Sequence, residues 1–301
     1  MDAKGRGARL SSNQLALERL ATNLRVESEL FEALDILSDL CVVVFKGGCL
    51  TRLIYGDLRR RASADNDIWV PRAQATEALH RLEAQGYRCL PQLDSQAALR
   101  RVGQVALWKD GDLRRPSLDL HQEPFSRRYF AVPEGLLKEN LLTVDFHGRE
   151  VATFNEGLAL VHMVAHWVQH HFEPAHLKEI RAAHHAFSKK VPEPSLRKLA
   201  AQTCSLPAYD LALASAGVTA NDSGRTLGFR ASFTNSVMQR WPESAPHVVL
   251  KLLSLFLVAP ERLPTQVLAA LYLESDELHS RYGSGNRASL LVRHLCRSLR
   301  R

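Results

Sequence analysis

Apolar residues in the first part of the chain recur with two different periods, and the two periods predict different elements. Leucines at helical spacing predict two amphipathic helices, one from a Ser11-Ser12 cap to about residue 23 and one over residues 26–40. The next segment, residues 41–45, is a continuous apolar run in which four of five residues are β-branched or aromatic. Such a run is typical of a buried strand.

The stretch from residue 45 to residue 70 contains a glycine pair and a pair of aspartates. Gly47 and Gly48 end the strand, and the apolar residues after them predict a short helix to about residue 55. Asp65 and Asp67 then lead into a second apolar run, residues 68–70. Because residues i and i+2 of a strand point the same way, we expect the two carboxylates to project side by side.

Further strands are predicted downstream of these aspartates. Pro71 suits the first turn of a helix that runs to about residue 85, where Gly86 ends it. Asp119 and His121 alternate with leucines, so they share one face of a strand that can lie beside the aspartate strand. The other predicted strands are residues 87–90, 105–109, 141–146 and 150–154, and a tight Asp110-Gly111-Asp112 turn connects 105–109 to 117–121.

Helical patterns dominate from residue 155 onward. The predicted helices are residues 156–172, 177–187, 196–203, 208–216, 232–240, 247–258, 264–271 and 287–299, with loops at 191–194, 218–224 and 283–286. We therefore predict an α+β fold. A mixed sheet with flanking helices forms a catalytic domain over residues 11–154, an all-helical domain covers residues 155–301, and residues 1–10 are disordered.

Composition narrows the class of protein. The 301 residues are 46% hydrophobic and 24% charged, which is ordinary for a soluble globular protein. We find no apolar run long enough to cross a membrane and no secretory signal. The five cysteines form no CxxC pair, which favours a reducing cytoplasm. The net charge of +7 is compatible with a polyanionic partner, although a spread-out excess is also typical of a solvated surface.

Three aspartates are the candidate catalytic residues. Two carboxylates as close as Asp65 and Asp67 repel each other unless a cation lies between them, and hard oxygen ligands suit Mg²⁺. Asp119 would supply the third carboxylate of a two-metal site for phosphoryl transfer. The alternatives are that the DxD pair arises by chance in a loop and that Asp119 lies on the solvent-facing side of an edge strand.

The glycine pair is a candidate phosphate site. Gly47 and Gly48 precede a helix, so their backbone N–H groups can bind an anion whose charge Lys46 can neutralise. The spacing is not that of a Walker A motif, and many glycine pairs are simple turns. Arg61 and Ser63 either contact a triphosphate or lie in a solvated loop.

Histidines recur every four residues at His162, His166 and His170. This spacing can bind zinc on a helix, but no glutamate follows the first histidine as it does in HExxH. The pattern therefore favours a helix face packed near the nucleotide or the catalytic domain.

These motifs resemble a known family. The chain resembles the bacterial "uncharacterised nucleotidyltransferase" family of the DNA polymerase β-like superfamily in three successive motifs. They are Phe45-Lys46-Gly47-Gly48, then Leu53 and Tyr55, then Arg61-x-x-x-Asp65-x-Asp67. Gly86-Tyr87, Asp119-Leu120-His121 and the His-rich helix also match, so the resemblance covers roughly residues 41–185. Asn66 and Gly48 stand where relatives usually carry an apolar residue and a serine. The same core is similar to nucleotidyltransferase toxins of abortive-infection systems.

The resemblance implies a Mg²⁺-dependent enzyme that moves a nucleoside monophosphate from an NTP to an acceptor and releases pyrophosphate. Asp65 and Asp67 would hold two Mg²⁺ ions, and Asp119 would hold the ion nearest the acceptor. The residues that would bind the nucleotide are Lys46, Gly47, Gly48, Arg61 and Ser63. The acceptor stays open between tRNA, a protein and a small molecule. Two alternatives also stay open: a non-catalytic nucleotide- or RNA-binding module, and a tRNA-modifying toxin of a toxin–antitoxin system.

Overall fold

The structure is a computed structural model that describes residues 11–126, 129–170, 172–218, 257–258, 286 and 289. The chain divides into two compact units. The first contains residues up to Pro124 together with Glu134–Ala159, and the second contains Phe125–Pro133 and the residues from Leu160 onward. The predicted domain boundary at residues 154–155 stays a prediction.

The strands of the first unit form one mixed seven-stranded sheet. In chain order they are β1 Val43–Val44, β2 Asp65–Trp69, β3 Tyr87–Arg88, β4 Gln104–Lys109, β5 Ser117–His121, β6 Leu141–Phe146 and β7 Arg149–Phe154. Their spatial order is β3-β4-β5-β2-β1-β7-β6. The β2–β5 and β1–β7 pairs are parallel, and the other neighbours are antiparallel.

Helices flank this sheet, which confirms the predicted α+β class for the described residues. They are α1 Ser12–Ile36, α2 Gly47–Tyr55, α3 Arg72–Ala84, α4 Ser95–Val102 and α5 Glu134–Glu139, with a short 3-10 helix at Leu58–Arg60. One core cluster joins leucines of α1 and α3 to Ile68 of β2 and to Leu118 and Leu120 of β5. Because side chains alternate along a strand, Asp65, Asp67 and Asp119 belong to the opposite face of the sheet.

The prediction of two helices before residue 41 is wrong, since α1 is continuous from Ser12 to Ile36. The predicted cap is confirmed, because Ser11 and Gln14 form a reciprocal capping box. Asn23, the expected end of the first helix, instead turns a buried side chain inward and hydrogen-bonds the backbone of residues 58–63. No proline or glycine interrupts the sequence there, so the helix continues.

The other predicted elements of this unit are confirmed, with shifted ends. The first strand pairs only at Val43–Val44, and β4 and β5 are connected by residues 110–116, a longer connection than one tight turn. The short helices α4 and α5 are missing from the predictions, because six to eight residues are fewer than the stretch over which a helical period is recognised.

After β7 the described chain is helical, as predicted. The helices are α6 Glu156–Gln169, α7 Pro174–Phe187, α8 Glu193–Gln202 and α9 Leu206–Ser215. The predicted loop 191–194 is shorter than expected, because Pro194 lies in the first turn of α8, where proline is tolerated. The predicted disorder of residues 1–10 and the helices predicted at 232–240 and 264–271 lie outside the described residues, as do most of 247–258 and 287–299.

None of the helices in the described part of the chain combines the length and apolar character needed to span a membrane. Cys41, Cys49, Cys89 and Cys204 are free thiols. Cys296 lies outside the described residues.

Candidate active site

The parallel pairing of β2 with β5 brings the three predicted aspartates together. Asp67 is the direct partner of Asp119, and Asp65 lies opposite Ser117. His121, two residues after Asp119, lies opposite Trp69. The predicted neighbourhood of these two strands is therefore confirmed, and all three carboxylates lie on the face away from the α1–α3 core.

Asp67 is the most enclosed of the three, with 1% of its surface exposed. Its Oδ1 atom accepts a hydrogen bond from Lys46 Nζ at 2.9 Å and lies 3.0 Å from His121 Nε2. Asp67 Oδ2 and Asp119 Oδ1 are buried without a hydrogen-bond partner among the described residues. Since an unpaired buried carboxylate oxygen is costly, both atoms fit a ligand that is not part of the chain.

The donor set fits a divalent cation. One ligand atom each from Asp67, Asp119 and His121 lies within 4.8 Å of the others. Two carboxylates and one imidazole form a mixed O/N set, which carboxylate-preferring ions such as Mg²⁺ and Mn²⁺ share with zinc-like ions. Asp67, Asp119 and His121 can therefore hold a metal ion together.

The surroundings raise the pKa of two of the three carboxyl groups and lower that of the third. Burial, and then the charge of Asp67, raises the pKa of Asp119 to about 6, and the same two causes raise the pKa of Asp65. Burial also disfavours the charged form of Asp67, but the Lys46 ammonium and the His121 hydrogen bond outweigh it and lower the pKa of Asp67. Asp67 is therefore ionised at neutral pH, whereas Asp119 changes its protonation state near pH 6.

The predicted phosphate turn begins α2. Lys46 is the N-cap residue of this helix and makes no side-chain capping bond, so the first N–H groups stay available for an anion. Gly47 has φ of +63°, and a Cβ there would lie 3.3 Å from the Asp65 carbonyl oxygen. Glycine at this position therefore allows the turn to approach the first residue of the aspartate strand.

Ser63 and Arg61 lie on the segment that enters β2. Ser63 is buried, and its hydroxyl donates to the Asp65 carbonyl oxygen at 3.1 Å and lies 3.4 Å from Asp65 Oδ1. The charge of Arg61 is close enough to act on the Asp65 carboxyl and oppose the rise in its pKa. Both residues therefore adjoin Asp65, which excludes a fully solvated loop; their contact with a nucleotide stays a prediction.

Gly48 has a packing reason to be glycine. A Cβ at this position would lie 2.6 Å from Glu27 Oε1 and 3.0 Å from Phe146 Cζ. Glu27 is buried, and its other oxygen lies 2.6 Å from His147 Nε2. Any side chain at residue 48 would therefore require Glu27 or Phe146 to shift.

Asn66 also has a structural reason for its position between the aspartates. Its amide donates to the Val26 carbonyl oxygen of α1 at 2.7 Å, on the face of the sheet away from the carboxylates. Asn66 therefore fastens β2 to α1 and takes no direct part in the carboxylate cluster.

Two residues that contact the predicted site residues have no role predicted from the sequence. For His121 a signal existed, because it lies two residues from the candidate carboxylate Asp119 on the same strand face. Asn23 gave no signal at all, because its bonds to Leu58, Arg61 and Ser63 join segments about 40 residues apart.

Comparison with known proteins identifies a family. The family model described as "Uncharacterised nucleotidyltransferase" matches residues 9–220. No curated protein and no solved structure matches the chain.

Proposed function

Because the chain belongs to this nucleotidyltransferase family and is therefore a transferase, we propose that it moves a nucleoside monophosphate from a Mg²⁺-bound NTP to an acceptor. The bond from the α-phosphorus to the acceptor oxygen forms as the bond to the β-phosphate oxygen breaks, and pyrophosphate leaves. The observation that carries this proposal is the direct pairing of Asp67 with Asp119, each with an unpartnered buried oxygen.

Each carboxylate then has a role that follows from its surroundings. Asp65 and Asp67 would hold two Mg²⁺ ions, whose charge would neutralise and align the triphosphate. Asp119 would bind the ion nearest the acceptor and would take the proton of the acceptor hydroxyl. His121 orients Asp67 through the hydrogen bond to Oδ1.

The turn at the start of α2 and the segment that enters β2 would bind the phosphates. Lys46 forms an ion pair with Asp67 and, one residue before the turn, would also neutralise phosphate charge. The N–H groups of Gly47 and Gly48 bind phosphate oxygens at the start of α2, with Ser63 and Arg61 beside Asp65.

The test is transfer of label from each of four α-³²P-labelled NTPs in the presence of Mg²⁺ and a total extract of RNA and protein. We expect label to move to an acceptor with the wild-type enzyme and not with Asp67→Asn, because the amide removes a metal-binding charge. Asp39→Asn is the control, since Asp39 is an exposed partner of Arg81. Wild-type turnover in Asp67→Asn would refute the assignment.

The fate of the label identifies the acceptor. A nuclease-sensitive product establishes RNA, a protease-sensitive product establishes protein, and a product of low mass establishes a small molecule. The net charge of +7 is compatible with an RNA acceptor, and so with a tRNA-modifying toxin in the cytoplasm. Growth arrest on expression that is lost in Asp67→Asn would support the toxin.

A further inference from the structure

A second group of metal-ligating side chains lies in the helical unit, at the turn between α6 and α7. His170 follows the last residue of α6, Glu173 is the N-cap residue of α7, and His176 lies in the first turn of α7. One ligand atom from each of the three lies within 4.8 Å of the others. This group shares no residue with the carboxylate cluster of the sheet.

We propose that His170, Glu173 and His176 bind a zinc-class ion that fastens α6 to α7. Two imidazoles and a carboxylate form a donor set typical of zinc sites, whereas Mg²⁺ prefers oxygen ligands. His170 and Glu173 are exposed and His176 is half-buried, so an ion can enter from solvent. Three protein ligands leave the fourth coordination position to water or an exogenous ligand.

The turn holds these residues together at a conformational cost. Phe172 has φ of +65°, which is rare for a bulky residue. Its buried ring packs edge-on against buried Trp167 with centroids 4.9 Å apart, and its N–H donates to the Trp167 carbonyl oxygen at 2.9 Å. Contacts of this kind are what sustain a strained residue, so they hold the backbone at Phe172 in its left-handed conformation.

His166 supports the group from one helical turn earlier. Its ring centroid lies 4.2 Å from that of His170 and 5.3 Å from that of His176. Packing against both rings limits their rotation, so His166 acts as a positioning residue for the two ligands. His166 and His170 have the HxxxH spacing at the end of α6. The turn then brings Glu173 and His176 beside His170, which the spacing alone does not predict.

The test is Co²⁺ binding by full-length, untagged protein after chelator treatment, followed by visible absorption and calorimetry and then by competition with Zn²⁺. We expect the intense d–d bands of a four- or five-coordinate ion in wild type. We expect His170→Gln and Glu173→Gln to weaken Co²⁺ affinity by at least about tenfold. His185→Gln, an exposed histidine on α7 outside the group, and Asp119→Asn, in the sheet, should keep the bands.

Circular dichroism of each variant establishes that it folds, and the two ligand variants change exposed side chains. Wild-type affinity in both His170→Gln and Glu173→Gln would overturn the proposal. Bands that disappear in Asp119→Asn would assign the ion to the sheet, and equal loss in His185→Gln would indicate diffuse binding by histidines; either result overturns it. Because the readout is metal binding, it is independent of transferase activity.

Discussion

At the scale of one residue, the raised pKa of Asp119 makes the stability of the fold depend on pH. Burial and the neighbouring Asp67 raise the pKa of Asp119 to about 6, above the value near 3.9 of an unfolded chain. The folded state therefore binds this proton more tightly than the unfolded state. The contribution of Asp119 to stability falls as pH rises from about 4 to 6 and stays reduced at higher pH.

We predict that Asp119→Asn abolishes transfer and raises the free energy of unfolding of the metal-free protein by about 1–3 kcal/mol at pH 8. Most of this gain should disappear near pH 4, where the folded-state carboxyl is protonated and that of the unfolded chain is about half protonated. Urea unfolding in EDTA at the two pH values measures it. Asp39→Asn is the control, because Arg81 lowers the pKa of Asp39 and its removal should bring no gain. A variant less stable than wild type at pH 8 would contradict this account.

Gly48 gives a second prediction at this scale. Gly48→Ala forces Glu27 or Phe146 to shift, so we expect a loss of about 1–3 kcal/mol. Gly135→Ala in α5 is the matched control, because nothing lies within 4 Å of its added Cβ and alanine favours helix by about 0.5–1 kcal/mol. Thermal unfolding compares them. Equal effects of the two substitutions would show that the contact with Glu27 does not restrict residue 48.

At the scale of elements, α1 supports the site from the other side of the sheet. Asn23 donates to the carbonyl oxygens of Leu58 and Arg61 at 2.6 and 2.7 Å and accepts from the N–H of Ser63 at 2.8 Å. One buried amide thus holds the segment that leads from the 3-10 helix to Asp65. Asn66 adds a bond from β2 to α1.

We predict that Asn23→Ala lowers the free energy of unfolding by about 2–4 kcal/mol, because it leaves buried backbone groups without partners. It should also lower kcat/KM, because Ser63 and Arg61 lose their fixed position. Chemical denaturation and steady-state transfer assays measure the two effects. Asn13→Ala, on the exposed face of the same helix, should change neither. Wild-type stability of Asn23→Ala would show that this segment is held by other contacts.

At the scale of the whole molecule, a basic chain encloses a cluster of negative charge. The net charge is +7, yet the sheet face that carries Asp65, Asp67 and Asp119 gathers three carboxyl groups around Lys46 and His121. A module that only binds anions gains nothing from such a cluster unless metal neutralises it. This arrangement favours catalysis over simple nucleotide binding.

We predict that NTP binding by the full chain requires a divalent cation. Isothermal titration with Mg²⁺ should show binding that weakens by at least about tenfold in EDTA, because metal removal leaves the triphosphate facing carboxylates. Asp67→Asn should reduce the dependence on Mg²⁺, and Asp39→Asn should not. Metal-independent NTP binding without turnover would favour the binding module instead.

The sequence by itself determined which segments become strands and where the carboxylates lie along them. Alternation placed Asp65 and Asp67 on one side of a strand and Asp119 with His121 on one side of another, since a period of two is a local property. Glycine and proline marked the starts of α2 and α3 for equally local reasons.

Only the tertiary structure decided what these residues meet. The pairing of Asp67 with Asp119, the contact of Lys46 with Asp67 and the bonds of Asn23 join segments about 20 to 50 residues apart, which no local period encodes. The side chain of Asn23 likewise finds its partners only once α1 and residues 58–63 have come together. The raised pKa of Asp119 also depends on the pairing of β2 with β5, because burial and a neighbouring charge exist only once the sheet has formed.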